Sequence, residues 1–262
     1  MTKRAPIGRA KQPSHKDRRM DKLTADMVAN NLAIVEGPTK RKTWSLHDLK
    51  AIKPLTQNQQ VTFETFLDEQ KSLCLYGCSG VGKTFQACYL ALNEVLRKDT
   101  PTDKIIIVRS IVPTREIGFL PGDLEEKTAV YEMPYQDIFA DLCGRNSTYD
   151  NMKEAGLIQF CCSSFIRGLT WDNCIVVVDE AQNMSWQEFD SIITRVGCNT
   201  KVIVCGDTRH QCDLKKEHSG FIDAINVMER TGNFGIINFT SNDIVRSSFV
   251  KDWIIAREQL NL

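Results

Sequence analysis

The sequence predicts an α/β fold, a parallel sheet flanked by helices, and three observations predict it. Six short apolar runs punctuate residues 54–262, each continuous rather than alternating, as strands covered on both faces require. Stretches of helical period lie between them. The first run leads through YGCSGVGKT (76–84) straight into a helical pattern, which is the setting a phosphate-binding loop needs.

In order, strands are expected at KSLCLY (71–76), KIIIVR (104–109), LIQFCC (157–162), CIVVVD (174–179), KVIVC (201–205) and at 234–238. Helices are expected at 83–98, 125–143, 185–196, 219–230 and 247–260. Strand followed by helix throughout implies right-handed crossovers. In such open sheets ligands bind beyond the carboxyl ends of the strands. Ahead of this core, residues 23–53 read as a polar N-terminal extension, interrupted at Gly37-Pro38.

A chain of 262 residues with 42% hydrophobic and 25% charged residues is long and apolar enough for one compact soluble domain plus an extension. No apolar run approaches the ~20 residues of a membrane span, and no apolar segment follows the basic N-terminus as in a secretory signal. A soluble, cytoplasmic protein without a membrane partner is expected. Ten cysteines include no CxxC pair, and several lie inside apolar runs, so they read as reduced core residues. Cys205, His210, Cys212 and His218 form a cluster whose spacing matches no zinc pattern.

The zero net charge conceals an asymmetry. Between Met1 and Lys22, eight basic residues stand against Asp17 and Asp21, a local +6 that leaves −6 on the remainder. With Pro6, Gly8, Pro13 and few large apolar residues, residues 1–22 are expected to be a disordered basic arm. Such an arm contacts nucleic acid, serves as a solvated tail, or lies on its own acidic domain.

Gly77-Cys78-Ser79-Gly80-Val81-Gly82-Lys83-Thr84 matches G-x-x-x-x-G-K-[ST] in full. The spacing has a chemical reason. Glycines let successive backbone N–H groups face phosphate oxygens, and the following helix adds the positive end of its dipole. Lys83 reaches the β- and γ-phosphates, and the Thr84 hydroxyl holds Mg²⁺. At a second strand end, CIVVVDEAQN closes an apolar run with Asp179 and Glu180. Two carboxylates there are costly unless a ligand uses them. Asp179 would serve the Mg²⁺ shell, and Glu180 would orient and deprotonate an attacking water. Capping of a helix by Asp179 is the alternative and leaves Glu180 without a role. At a third strand end, KVIVCGD sets Gly206 and Asp207 in the same row.

These residues resemble the PhoH-like ATPases, relatives of the superfamily 1 helicase core. The resemblance runs from about Pro54 to Ala256. It is carried, in order, by PLTQNQ (54–59), the loop at 77–84, VRSIVP (108–113), GFLPGDLEEK (118–127), SFIRGLT (164–170), VVVDEAQN (176–183), ITRVG (193–197) and DIVRSSFV (243–250). It implies a RecA-like P-loop core, binding of ATP with Mg²⁺, and Gln59 near the adenine. The family pattern G-D-x-x-Q is altered here to Gly206-Asp-Thr-Arg-His-Gln211, so either Gln211 or His210 would sense the γ-phosphate. No RNase domain is expected beside the core.

An arginine finger adds on the order of 10³–10⁵ in rate to such a site. Arg195 and Arg246 are the candidates, with ordinary ion pairing the competing reading of each. Two-domain helicases supply this arginine from their second core. A single core implies supply from a neighbouring subunit, hence a homo-oligomer such as a hexameric ring. By the same resemblance, Arg109, Arg115 and Arg167 would face the phosphates of single-stranded RNA or DNA, with Trp171 stacking on a base or packing inside. The expected function is ATP hydrolysis coupled to binding or remodelling of a single strand. The alternatives are a slow nucleotide-dependent switch and a small-molecule kinase.

Overall fold

The computed structural model describes residues 44–68, 71–110, 124–166, 168, 170–208 and 219–260. Its six strands are β1 (Ser72–Gly77), β2 (Lys104–Arg109), β3 (Ile158–Cys162), β4 (Cys174–Asp179), β5 (Lys201–Gly206) and β6 (Phe234–Phe239). They form one sheet in the order β3-β2-β4-β5-β1-β6, every pair parallel. The helices are α1 (Gln57–Phe66), α2 (Lys83–Val95), α3 (Leu124–Cys143), α4 (Thr148–Glu154), α5 (Trp186–Ile193), α6 (Phe221–Thr231) and α7 (Ser248–Gln259).

The continuous apolar runs are explained by what covers them. Alternate residues of a strand point to opposite faces, and both faces here are packed. On one face Leu73, Leu75, Ile105, Ile107, Ile175, Val177 and Ile203 meet residues of α2, α3 and α4. On the other, Cys74, Ile106, Val108, Val176, Val178, Val202 and Val204 meet residues of α5 and α6. A strand buried on both sides has no polar face to alternate with. All five expected helices form. Helix α1 is not foreseen by periodicity, because its inward face is Gln59, Thr62 and Phe66, two of them polar. Thr56 starts it by accepting a hydrogen bond from the Gln59 N–H.

The chain divides into Met1–Lys42 and Thr43–Leu262. The first unit, and with it the basic arm, lies outside the described residues. Residues expected to belong to the extension instead join the core: Trp44, Leu49 and Ile52 pack against it. Among the described residues every cysteine is a free thiol, most of them buried. No described helix is long and apolar enough to cross a membrane.

The turn after β6 is tied to α1 by Asp243, which accepts from the Asn58 side chain at 2.8 Å and from the Thr240 N–H at 2.9 Å. Burial opposes its charge, but these hydrogen bonds outweigh burial and hold its carboxyl below the usual range. A carboxyl lowered on folding stabilises the protein above its ordinary value near 3.9 and ceases to do so as pH falls through the folded value. Asp243→Asn is therefore expected to lower the urea midpoint at pH 7. Its curve should meet that of the unmodified protein in acid, below the depressed value.

Candidate functional site: a phosphate loop and two strand-end carboxylates

The site lies at the carboxyl ends of β1, β4 and β5. Gly77, Gly80 and Gly82 adopt φ of +111°, +76° and +80°, the left-handed region that side chains disfavour. The loop they shape is pinned from several sides. Cys78 donates its N–H to the Phe239 carbonyl at 3.0 Å, the Gly80 carbonyl accepts from Val245 N–H at 3.2 Å, and the Gln59 amide donates to the Val81 carbonyl at 3.1 Å. Ser79 is half-buried within this frame. Gly82 is the N-cap of α2 and offers no side-chain acceptor to the first turn, so the helix start remains available to an anion. Burial pushes the Cys78 thiol up to about 11, which removes it as a nucleophile.

The expected residues come together. Lys83 Nζ donates to the Gly77 and Cys78 carbonyls at 3.0 and 2.7 Å, so it curls over the loop it belongs to. The Thr84 hydroxyl donates to Asp179 Oδ1 at 2.8 Å, joining the loop to the end of β4. A hydroxyl and a carboxylate in contact are hard oxygen donors suited to Mg²⁺, which typically takes one or two such groups beside phosphate oxygens. No group of three or more His, Cys, Asp or Glu able to hold a metal occurs among the described residues.

Glu180 follows in a left-handed conformation at φ +51°, a strain that persists only where its surroundings fix it. Gln182 fixes it by donating to Glu180 Oε2, while the other end of the same amide accepts from the Asp207 N–H at 2.9 Å. The DEAQN turn is thereby linked to the end of β5. Burial and the neighbouring Asp179 raise the Glu180 carboxyl, with Gln182, Arg109 and Lys83 pulling it back.

Beside the loop is a cavity of about 240 Å³ lined by Gln59, Phe63, Gly82, Phe85, Gln86 and Arg246, among others. Gln59 accepts from Leu55 N–H at 2.8 Å as well as donating to Val81, so both ends of its amide are used. Arg246 is exposed and close to the loop, its Cγ 3.3 Å from where a side chain on Gly80 would begin. A larger groove of about 460 Å³, lined by Trp186, Asp223, Val227 and Arg230, includes no residue of this site.

Other residues lie elsewhere. Arg195 precedes β5, at the sheet edge opposite the loop and roughly 20 Å away by the length of a six-residue strand. Its carbonyl accepts from Trp171 N–H at 2.8 Å, and its Nε is buried without a hydrogen-bond partner among the described residues. Trp171 is 3% exposed and packs within the core, so it is no stacking platform. Arg109 turns inward, its guanidinium 5.6 Å from the Tyr131 ring centre and facing Tyr135, Asp179 and Glu180 rather than a strand of nucleic acid. Gln211, His210, Cys212, His218, Arg115 and Arg167 lie outside the described residues.

Sequence reasoning missed Gln182, Gln86 and Tyr135. One signal was present for the last. Tyr135, Phe139 and Leu142 form the fully buried stripe of α3, and a buried tyrosine hydroxyl must find a partner.

One strand, β5, is inserted between the strand carrying the glycine loop and the strand ending in Asp179. With Lys83, Thr84 and the carboxylate pair, this makes the protein a P-loop protein with a RecA-like core. The family model described as PhoH-like protein matches residues 51–258, and the chain belongs to that family. Protein PhoH of Escherichia coli K12 is 35% identical over 211 residues, covering 79% of this chain and 54% of its own length. The PhoH-like protein of Bacillus subtilis strain 168 is 34% identical over 187 residues, covering 71% of this chain and 57% of its own length. The chain thus spans a little over half the length of these relatives. Among solved structures, unliganded Pif1 from Bacteroides sp is a loose likeness of fold, 13% identical with a TM-score of 0.41, covering 80% of this chain and 48% of that one.

Proposed function

We propose that the chain is a Mg²⁺-dependent ATPase that couples hydrolysis to binding or remodelling of single-stranded RNA or DNA. The observation that carries the ATPase reading is the 2.8 Å contact between Thr84 and Asp179, which brings the loop and the second strand end into one site beside Glu180. The loop amides and the start of α2 cradle the phosphates. Lys83 leaves the loop carbonyls for the β- and γ-phosphate oxygens. Thr84 and Asp179 would hold Mg²⁺, which would supply neutralisation of charge developing on the phosphates. Glu180, held by Gln182, accepts the proton of the attacking water. The cavity at Phe63 and Phe85 receives the base.

The basic arm supports the nucleic-acid partner; the inward-facing Arg109 does not. Arg246 stands beside its own loop, whereas Arg195 reaches a nucleotide only in a neighbouring copy. The reading therefore includes a homo-oligomer, a ring in its simplest closed form, with Arg195 delivered in trans. A monomer hydrolysing ATP at the full rate would overturn that part.

The test is ATP hydrolysis by the purified protein with Mg²⁺, alone and with single-stranded RNA or DNA, beside Lys83→Ala. The expected result is turnover abolished by Lys83→Ala and raised several-fold by a single strand, with the stimulation lost as salt screens the phosphates. Tight ATP binding with negligible turnover under every condition would replace this reading with a nucleotide-dependent switch.

A further inference from the structure

Asp179 is held at both carboxylate oxygens by hydroxyl groups from different helices. Thr84, at the start of α2, donates to Oδ1, and Tyr135, from α3, donates to Oδ2, each at 2.8 Å. Tyr135 is fully buried, its ring 5.9 Å from that of Phe160. The Arg109 guanidinium lies nearby, close enough for its charge to feel both Tyr135 and Asp179. Arg109 and Asp179 are direct partners in the β2–β4 register, and by strand alternation both project to the face that α3 covers. A guanidinium and a carboxylate so placed would ordinarily pair with each other in two-point fashion. Here the phenol, not the guanidinium, donates to Oδ2.

We propose that Tyr135 is a positioning residue for the metal site: its hydroxyl fixes the Asp179 carboxylate so that Oδ1 stays directed at Thr84 and the metal–nucleotide complex. The inference rests on the ATPase reading of that site. Without the hydroxyl, Oδ2 becomes a buried oxygen with no donor, a costly state. The carboxylate relieves it by rotating toward Arg109, which draws Oδ1 away from Thr84. Arg109 thus competes for Asp179 only when the Tyr135 hydroxyl is gone.

The test uses Mn²⁺ as the probe, its free concentration followed by electron paramagnetic resonance during titration of the protein with ADP. ADP binding is measured separately in EDTA. Tyr135→Phe keeps the ring and removes only the oxygen. It is expected to weaken Mn²⁺ binding about 10-fold, the scale of one lost hydrogen bond to a charged group, and to leave ADP binding in EDTA unchanged. Under turnover the Mg²⁺ half-saturation should rise by a similar factor, with most of kcat recovered at saturating Mg²⁺. Arg109→Met leaves the tyrosine in place and should weaken Mn²⁺ binding less. Tyr149→Phe is the control: it removes another fully buried hydroxyl, bonded to Glu132 at 2.7 Å, and should leave Mn²⁺ binding alone. Unchanged Mn²⁺ affinity in Tyr135→Phe, or equal weakening in Tyr149→Phe, overturns the proposal while leaving the ATPase reading intact. Failure of the unmodified protein to bind ADP overturns both.

Discussion

Replacing Glu180 by Gln is expected to lower ATP hydrolysis about 10²–10⁴-fold, the range a positioned proton acceptor contributes, while nucleotide binding persists. The amide keeps the size of the carboxyl and can stay beside Gln182, so the DEAQN turn and its link to Asp207 are preserved. What it cannot do is accept a proton. The same change should make the protein more stable, and the sign follows from the titration. Burial and Asp179 raise the Glu180 carboxyl in the folded state, so the unfolded chain loses this proton at lower pH than the folded one. The ionised group therefore costs stability, a cost that appears as pH rises from the ordinary value near 4.3 through the raised one. Glu180→Gln carries no such cost. Its thermal midpoint should exceed that of the unmodified protein at pH 7, and the difference should vanish in acid, below the ordinary value. Stability gained with activity lost is the mark of a residue kept for function. Retained hydrolysis would remove Glu180 from its role, and equal midpoints at pH 7 would show that its charge is relieved by its neighbours.

Gly77→Ala is expected to be the most disruptive single-methyl change in the loop. A Cβ there would lie 2.2 Å from the Phe239 carbonyl oxygen and 2.7 Å from Asn238 Oδ1, at a φ of +111°. The nearest atom is backbone of the neighbouring strand, paired in register with Gly77, so relief requires β1 and β6 to separate. Overpacking and backbone strain together should cost roughly 3 kcal/mol or more, which in a domain of this size lowers the melting point by roughly 6–12 °C. Gly156→Ala is the contrast. Its φ is +76° but nothing lies within 4 Å of the added methyl, so the cost should be backbone strain alone, about 1–2 kcal/mol. Calorimetry of the pair separates close approach from backbone conformation. Equal losses would show that the β1–β6 contact yields more easily than its geometry implies.

The sequence by itself determined the parallel α/β core, the strands and their order along the chain, and it singled out Gly77–Thr84, Asp179 and Glu180, which the structure brings together. The reason is local. A strand buried on both faces reads as an unbroken apolar run, and a phosphate loop needs its glycines, lysine and threonine within one turn between a strand and a helix. The family resemblance supplied Gln59 and Arg246, and the structure sets both on the cavity beside the loop. The tertiary structure alone decided the rest, because it depends on pairings between distant residues. The strand order places Arg109 against Asp179, which turns inward an arginine that the family resemblance assigns to a nucleic-acid strand. The packing of α3 brings Tyr135 to a carboxylate 44 residues away in the chain. The parallel sheet sends Arg195 to the edge opposite the loop, since a residue that precedes a strand and one that follows it lie at opposite ends of the same sheet.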